Sequence, residues 1–332
     1  MSRAGRVRAR VAAAALAGLA LTVPARALDL QGHRGARGLL PENTLPAFAR
    51  ALAIGVTTLE LDTAVTADDV VVVSHDATLN PDITRGPDGR YVASKDIAIR
   101  TLTFAELARY DVGRIDPASA YATRFATQVP VDGTRMPRLD EVFALAARAG
   151  NATVRFNIET KISPLHPART VDPPTFARAL VAAIRRAGLA SRAAIQSFDW
   201  RTLAVVRREA PEIGTACLTA QQSWTDNILA GESSGSPWTD GIRFAAHGSV
   251  PRMVKAAGCP VWSPYHGDID AAAVVEAHAL GLRVIAWTVN EQKDIARMID
   301  IGVDGIISDY PDRLRAVAGA RGIALPRATL VP

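Results

Sequence analysis

Six times this chain runs from an amphipathic stretch through a glycine into a short, apolar, β-rich run, with Gly55, Gly150, Gly188, Gly258, Gly281 and Gly302 at the junction. Glycine is the usual residue just past a helix C-terminus, because it enters the left-handed backbone region without a Cβ clash. The runs that follow are Thr58–Asp62, Val154–Glu159, Ala194–Phe198, Val261–Tyr265, Val284–Val289 and Gly305–Asp309, and with Leu28–Gly32 and Thr215–Leu218 they make eight strands. They are nearly continuous in apolar character, as parallel strands covered on both faces must be. Helices are expected over Thr44–Ile54, Leu139–Ala149, Pro174–Ala187, Trp200–Glu209, Val250–Ala257, Ile269–Leu280 and Glu291–Ile301, with Asn43, Asp199 and Asn290 as N-caps. Eight β/α units in one α/β chain point to a closed (β/α)8 TIM barrel. A doubly wound open sheet is the alternative, but no glycine-rich phosphate loop follows the first strand.

At 332 residues and 48% hydrophobic content, the chain is long enough to bury the core such a barrel needs. Its net charge of +5 is concentrated at one end: residues 1–27 hold five arginines and no acid, which leaves 33 basic against 33 acidic residues. That balance gives no reason to expect a nucleic-acid partner. Arg3, Arg6, Arg8 and Arg10, an apolar stretch from Val11 to Val23, and Ala25-Arg26-Ala27 read as an export signal cleaved after Ala27. The apolar stretch is shorter than the roughly 20 residues a membrane span requires. The expected product is a periplasmic or secreted protein comprising a barrel over 28–318 and a C-terminal tail over 319–332, with its oligomeric state open. Cys217 falls near the end of one expected strand and Cys259 at the start of the next, an offset too large for a bridge between extended strands, so both are expected as buried free thiols.

The chemistry collects where strands end. Glu60 with Asp62, and Glu159 with Lys161, are each two residues apart, so each pair shares one face of its strand. His33 and Arg34 follow the first strand. Two short β-rich stretches, Thr63–Thr66 and Val70–Ser74, flank Asp68-Asp69 as a hairpin, which in the expected register sets His75 opposite Asp62. Three converging carboxylates repel one another unless a cation neutralises them, and hard oxygen ligands suit one divalent ion, Ca²⁺ or Mg²⁺. An ion network with Arg34 and Lys161 is the alternative use for these acids. Two histidines beside them suit proton transfer in both directions, and Arg34 with Lys161 suits an anionic phosphate group. Trp287 and Phe198 lie near the same strand ends, where they could touch substrate or only pack the core. Residues 77–136 break the rhythm and read as an inserted subdomain with one short helix behind a Thr103–Glu106 capping box. A second long loop, Ser223 to Gly241, carries Trp224 and Trp238.

The chain resembles the glycerophosphodiester phosphodiesterase family from about Leu28 to Leu314. The resemblance rests on His33-Arg34-Gly35 with Pro41-Glu42-Asn43-Thr44, Glu60-Leu61-Asp62, His75-Asp76, Asn157-Ile158-Glu159-Thr160-Lys161, Gln196-Ser197-Phe198, Trp287-Thr288-Val289-Asn290 and Gly305-Ile306-Ile307-Ser308-Asp309-Tyr310-Pro311. It implies a TIM barrel with a small insertion after the second strand, and hydrolysis of a small-molecule glycerophosphodiester to glycerol 3-phosphate and an alcohol with a divalent cation. It further implies His33 and His75 as the acid and base pair, and Glu60, Asp62 and Glu159 as metal ligands. Arg34 and Lys161 match phosphate-contacting positions, Trp287 the aromatic bordering the glycerol, and Glu42 a supporting position. Departures from the family pattern are a longer stretch after His75-Asp76 and Thr160 where an aliphatic residue is frequent. A phospholipase of the same barrel type and a non-catalytic phosphodiester-binding protein are the rival readings. The latter has no use for a proton-transfer pair.

Overall fold

The computed structural model describes residues 27–332, and the expected export segment otherwise lies outside them. In chain order the elements are β1 (Asp29–Gly32), α1 (Leu45–Ile54), β2 (Thr58–Val65), β3 (Val71–Val73), α2 (Phe104–Leu107), α3 (Ala120–Arg124), α4 (Leu139–Arg148), β4 (Arg155–Thr160), α5 (Pro173–Arg186), β5 (Ala193–Ser197), α6 (Trp200–Glu209), β6 (Gly214–Thr219), β7 (Gln221–Gln222), β8 (Thr225–Asp226), α7 (Phe244–His247), α8 (Val250–Ala256), β9 (Val261–Pro264), α9 (Ala271–Ala279), β10 (Arg283–Ala286), α10 (Gln292–Asp300), β11 (Gly305–Ser308) and α11 (Pro311–Ala320). Strands β1, β2, β4, β5, β6, β9, β10 and β11 pair in parallel in that order, and β1 meets both β2 and β11, so the barrel closes. All six junction glycines adopt positive φ, as left-handed turns between helix and strand require. One buried apolar core joins the strands to the surrounding helices, with Leu30, Leu59, Phe156, Ile195, Trp200 and Ile306 almost fully enclosed.

The final helix, α11, extends to Ala320, into the stretch expected as tail, and the residues after it are anchored: the Thr329 N–H donates to the Leu52 carbonyl at 2.9 Å. The insertion carries two short α-helices rather than one, around a small core of its own that includes Leu79, Ile99, Leu107 and Met136. The Thr103–Glu106 capping box opens α2 as read from the sequence.

Three expectations are corrected. The hairpin register is shifted by one: Thr63 faces Val73, and the Ser74 N–H donates to the Asp62 carbonyl at 3.0 Å, so Ser74 rather than His75 lies opposite Asp62. The turn takes three residues, Ala67 to Asp69, with Asp69 at φ 60° absorbing the left-handed position of a bulged hairpin. Asn43 and Asn290 do not cap their helices. Thr44 caps α1 and Glu291 occupies the cap position of α10, while both asparagines bind carboxylates of the strand ends; Asp199 caps α6 as expected.

Third, Cys217 and Cys259 form a disulfide with Cα atoms 5.9 Å apart. The offset argument fails because Cys259 is not extended. Gly258 takes a left-handed conformation and the Cys259 N–H donates back to the Val254 carbonyl, which curls the chain toward β6 before β9 begins. With the cysteines separated by 42 residues, loop-closure entropy gives the bridge roughly 2–4 kcal/mol of stabilisation. Reduction under non-denaturing conditions is expected to lower Tm by several degrees, measured by calorimetry with and without reductant, and a Cys217→Ala/Cys259→Ala variant should show no further change on reduction.

Candidate active site

Every side chain singled out by sequence stands at or near the C-terminal mouth of the barrel. β2 and β4 run in register, with Glu60 beside Asn157 and Asp62 beside Glu159, so the pleat turns Glu60, Asp62 and Glu159 toward one point. One oxygen from each lies within 4.8 Å of the others, and all three residues are buried. The Arg34 backbone N–H donates to Glu60 Oε2 at 2.8 Å, and Gln196 Nε2 donates to Glu60 Oε1 at 2.7 Å. Asn43 Nδ2 donates to Asp62 Oδ2 at 2.9 Å, and Lys161 Nζ donates to Glu159 Oε1 at 2.9 Å. Asp62 Oδ1 is buried and accepts no hydrogen bond. Three hard oxygen donors with one lone-pair set unspent fit a divalent cation.

The electrostatics point the same way. Burial and then the charge of Asp62 push the Glu60 carboxyl well above its ordinary value. Burial likewise carries Glu159 up to about 7, against the pull of Lys161. Burial would raise Asp62 as well, but Arg34, His75 and Lys161 outweigh it and hold that carboxyl far below its usual range. Crowded acids of this kind store a free-energy cost that a bound cation removes.

His33 lies just past β1, where Gly35 makes the turn possible: a Cβ there would sit 2.6 Å from the Ala47 carbonyl carbon, and φ is +85°. His33 Nδ1 donates to Asp309 Oδ1 at 2.6 Å, leaving Nε2 directed at the site, 3.9 Å from Glu60 Oε2. Burial, with Arg37 next, lowers the His33 pKa to about 4, so the ring is neutral near pH 7. Asp309 itself is gripped by Arg37 through both oxygens, at 2.8 and 2.9 Å, and by Asn290 Nδ2 at 2.7 Å. Burial would raise the Asp309 carboxyl, yet Arg37 and His33 hold it well below its ordinary value. His75 is half-buried and pairs through Nδ1 with Asp76 at 3.0 Å, while Lys95 holds the other Asp76 oxygen at 2.9 Å. Partial burial of its ring, then Arg34 and Lys161, lower its pKa.

Arg34 Nη1 donates to Glu42 Oε1 at 2.7 Å, and its Nε lies 3.2 Å from Asp62 Oδ2. Glu42 also accepts the Tyr121 hydroxyl of α3, which ties the insertion to the site. Opposite these charges stands an aromatic wall. The Trp287 ring centroid lies 5.4 Å from Phe198, 5.6 Å from Tyr265 and 6.1 Å from Trp224. Between them lies a cavity of about 700 Å³ that His33, Arg34, Glu60, His75, Glu159, Lys161, Phe198 and Trp287 help to line, a size suited to a small molecule.

Sequence reading missed Arg37, and it gave Gln196, Asn43 and Asp309 no role in holding their partners. Arg37 carries no separate sequence signal, since its contact is to a strand end some 270 residues away. Asp309 has one: it closes the apolar run Gly305–Asp309 as Glu159 closes the run Val154–Glu159, and it directly follows β11.

Comparison with known proteins agrees. The Glycerophosphoryl diester phosphodiesterase family model matches residues 33–313. A glycerophosphodiester phosphodiesterase from Caldanaerobacter subterraneus subsp. tengcongensis is 29% identical over 85% of this chain and 94% of its own length. The crystal structure of a candidate glycerophosphoryl diester phosphodiesterase from Silicibacter pomeroyi superposes with a TM-score of 0.79 at 36% identity, covering 90% of this chain and 95% of that one. An Oleispira antarctica phosphodiesterase, solved with the product sn-glycerol-3-phosphate, shares the fold at 20% identity and a TM-score of 0.62, over 88% of this chain and 97% of that one. The chain belongs to the glycerophosphoryl diester phosphodiesterase family.

Proposed function

We propose that this enzyme hydrolyses glycerophosphodiesters to glycerol 3-phosphate and an alcohol with one divalent cation, Mg²⁺ or Ca²⁺, and with His33 and His75 as its proton-transfer pair. The observation that carries the reading is the buried triad Glu60, Asp62 and Glu159, whose Asp62 Oδ1 has no hydrogen-bond partner. These three side chains are the ligands. A bound cation supplies Lewis-acid polarisation of a phosphoryl oxygen. Arg34 and Lys161 donate hydrogen bonds to the remaining phosphoryl oxygens and stabilise charge as it develops. His33, neutral with its proton on Nδ1 toward Asp309, offers the Nε2 lone pair to deprotonate the nucleophile, either water or the neighbouring glycerol hydroxyl. His75, nearer solvent and oriented by Asp76, protonates the departing alkoxide. Trp287 and Phe198 border the glycerol, whose C–H groups lie against their rings.

Release of glycerol 3-phosphate from glycerophosphocholine, with and without chelator, tests the reading. Transient accumulation of a cyclic phosphate would identify the glycerol hydroxyl as nucleophile.

A second consequence is thermodynamic. The Glu159 carboxyl ionises near its ordinary 4.5 when unfolded but holds its proton to about 7 when folded. Without cation, its contribution to stability is full below pH 4.5 and is lost as pH rises through about 7. A cation must displace that proton in acid but meets an ionised carboxylate in base. Calorimetric scans are therefore expected to show a larger Tm increase on adding Ca²⁺ or Mg²⁺ at pH 8 than at pH 5.5; equal increases would contradict the ligand role of Glu159.

A further inference from the structure

The mouth of the barrel is divided by charge. The cavity wall contributed by the loops after β5, β6, β9 and β10 has no charged side chain and presents Phe198, Trp224, Trp238, Tyr265 and Trp287. The wall contributed by the loops after β1, β2 and β4 is cationic. Some of its cations are already matched: Arg34 by Glu42 and Asp62, Arg37 by Asp309, and Lys161 by Glu159. Two other arginines and a histidine have no such partner. Arg124, at the end of the insertion helix α3, and His166 and Arg169, on the loop after β4, line the same cavity, and none of them has a carboxylate partner among the described residues. Among the described residues, Asp76 is the only carboxylate besides Glu60 and Glu159 that lines this cavity, and His75 and Lys95 already hold it.

A phosphodiester bound at the triad has two substituents to place. In the proposed function, on which this inference rests, glycerol lies against Trp287 and Phe198, so the departing alcohol extends over the cationic wall. A cationic alcohol such as choline would face two guanidinium charges there. An alcohol carrying an anion would find two guanidinium groups, whose planar donor arrays match phosphate or carboxylate oxygens, with the His166 imidazole between them in sequence. We infer that Arg124, Arg169 and His166 form a subsite for a second anionic group on the departing alcohol, so that the preferred substrates are glycerophosphodiesters whose alcohol bears a further phosphate or carboxylate.

Glycerophosphoinositol and glycerophosphoinositol 4-phosphate differ by a single phosphate and give a matched pair of probes, with glycerophosphocholine as the cationic comparison. For the full chain with cation at low salt, kcat/KM for the 4-phosphate is expected to exceed that of its parent by about tenfold, chiefly through KM, and glycerophosphocholine should be the poorest of the three. Arg124→Gln/Arg169→Gln should bring the ratio within about twofold of unity. Both arginines are exposed, so the fold should persist, as circular dichroism will show. Cleavage of glycerophosphocholine tests the proposed function independently. An enzyme that cleaves it but shows a ratio near one, a preference for choline, or a ratio that survives in the double variant would overturn the subsite alone.

Discussion

Asp62→Asn is expected to lower kcat by about 10³-fold or more, with the barrel intact. The substitution keeps the side chain's shape but removes its charge from the centre of the triad, where Arg34, His75 and Lys161 hold the Asp62 carboxyl far below its usual range. Loss of one anionic ligand from a cation that contributes several kcal/mol to transition-state stabilisation accounts for that magnitude, at about 1.4 kcal/mol per tenfold. The loss should extend to cation binding itself, so the Tm increase produced by Ca²⁺ or Mg²⁺ should disappear along with turnover. Glu60→Gln is expected to act in the same direction; it disturbs the hydrogen bonds from the Arg34 backbone and Gln196, as Asp62→Asn disturbs the contacts with Asn43 and Arg34, so circular dichroism should accompany both. A variant of Asp62 that turns over at the wild-type rate would remove the triad from the mechanism.

The second large effect is expected at His33, where replacement by Ala should reduce kcat by roughly 10²–10⁴-fold with a smaller change in KM, because a general base acts on the reacting proton and not on substrate affinity. Imidazole added to the variant should restore part of the rate if the space left by the ring admits it. Asp309→Asn also misdirects His33, but it strands Arg37, a buried guanidinium held by both Asp309 oxygens. Breaking such a pair from one side costs about 3–5 kcal/mol of stability. Its activity loss would mix misfolding with chemistry. Wild-type kcat in His33→Ala would contradict the base assignment.

The barrel was legible because its signal is local and repeated: each glycine junction and each apolar run is set by a few neighbouring residues. The triad was legible for the same reason, since alternation along β2 and β4 fixes which side chains share a face and parallel registration then brings the two strands together. What escaped depends on long-range pairing. Asn43 and Asn290 have the composition of helix caps, and each stands within one residue of the true cap, but their Nδ2 groups donate to the carboxylates of Asp62 and Asp309, and their Oδ1 atoms, which a cap needs, accept from the backbone N–H groups of those same residues. A charged acceptor in a buried site gains more from an amide donor than a helix end open to other partners does. The hairpin register turned on one left-handed residue, Asp69, and the disulfide on the curl at Gly258. Single backbone choices of that kind leave little trace in hydrophobic pattern. Tyr121 was hidden for a further reason, because its contacts with Arg37 and Glu42 are set by how the insertion folds back over the mouth.

The central claim is that three buried carboxylates hold a cation on which phosphodiester cleavage depends. It is tested most directly by glycerol 3-phosphate release from glycerophosphocholine, using the full chain before chelation, after chelation and after addition of Mg²⁺ or Ca²⁺. Turnover lost on chelation and restored by one of these ions is the expected result. Undiminished turnover in the chelated protein would contradict it.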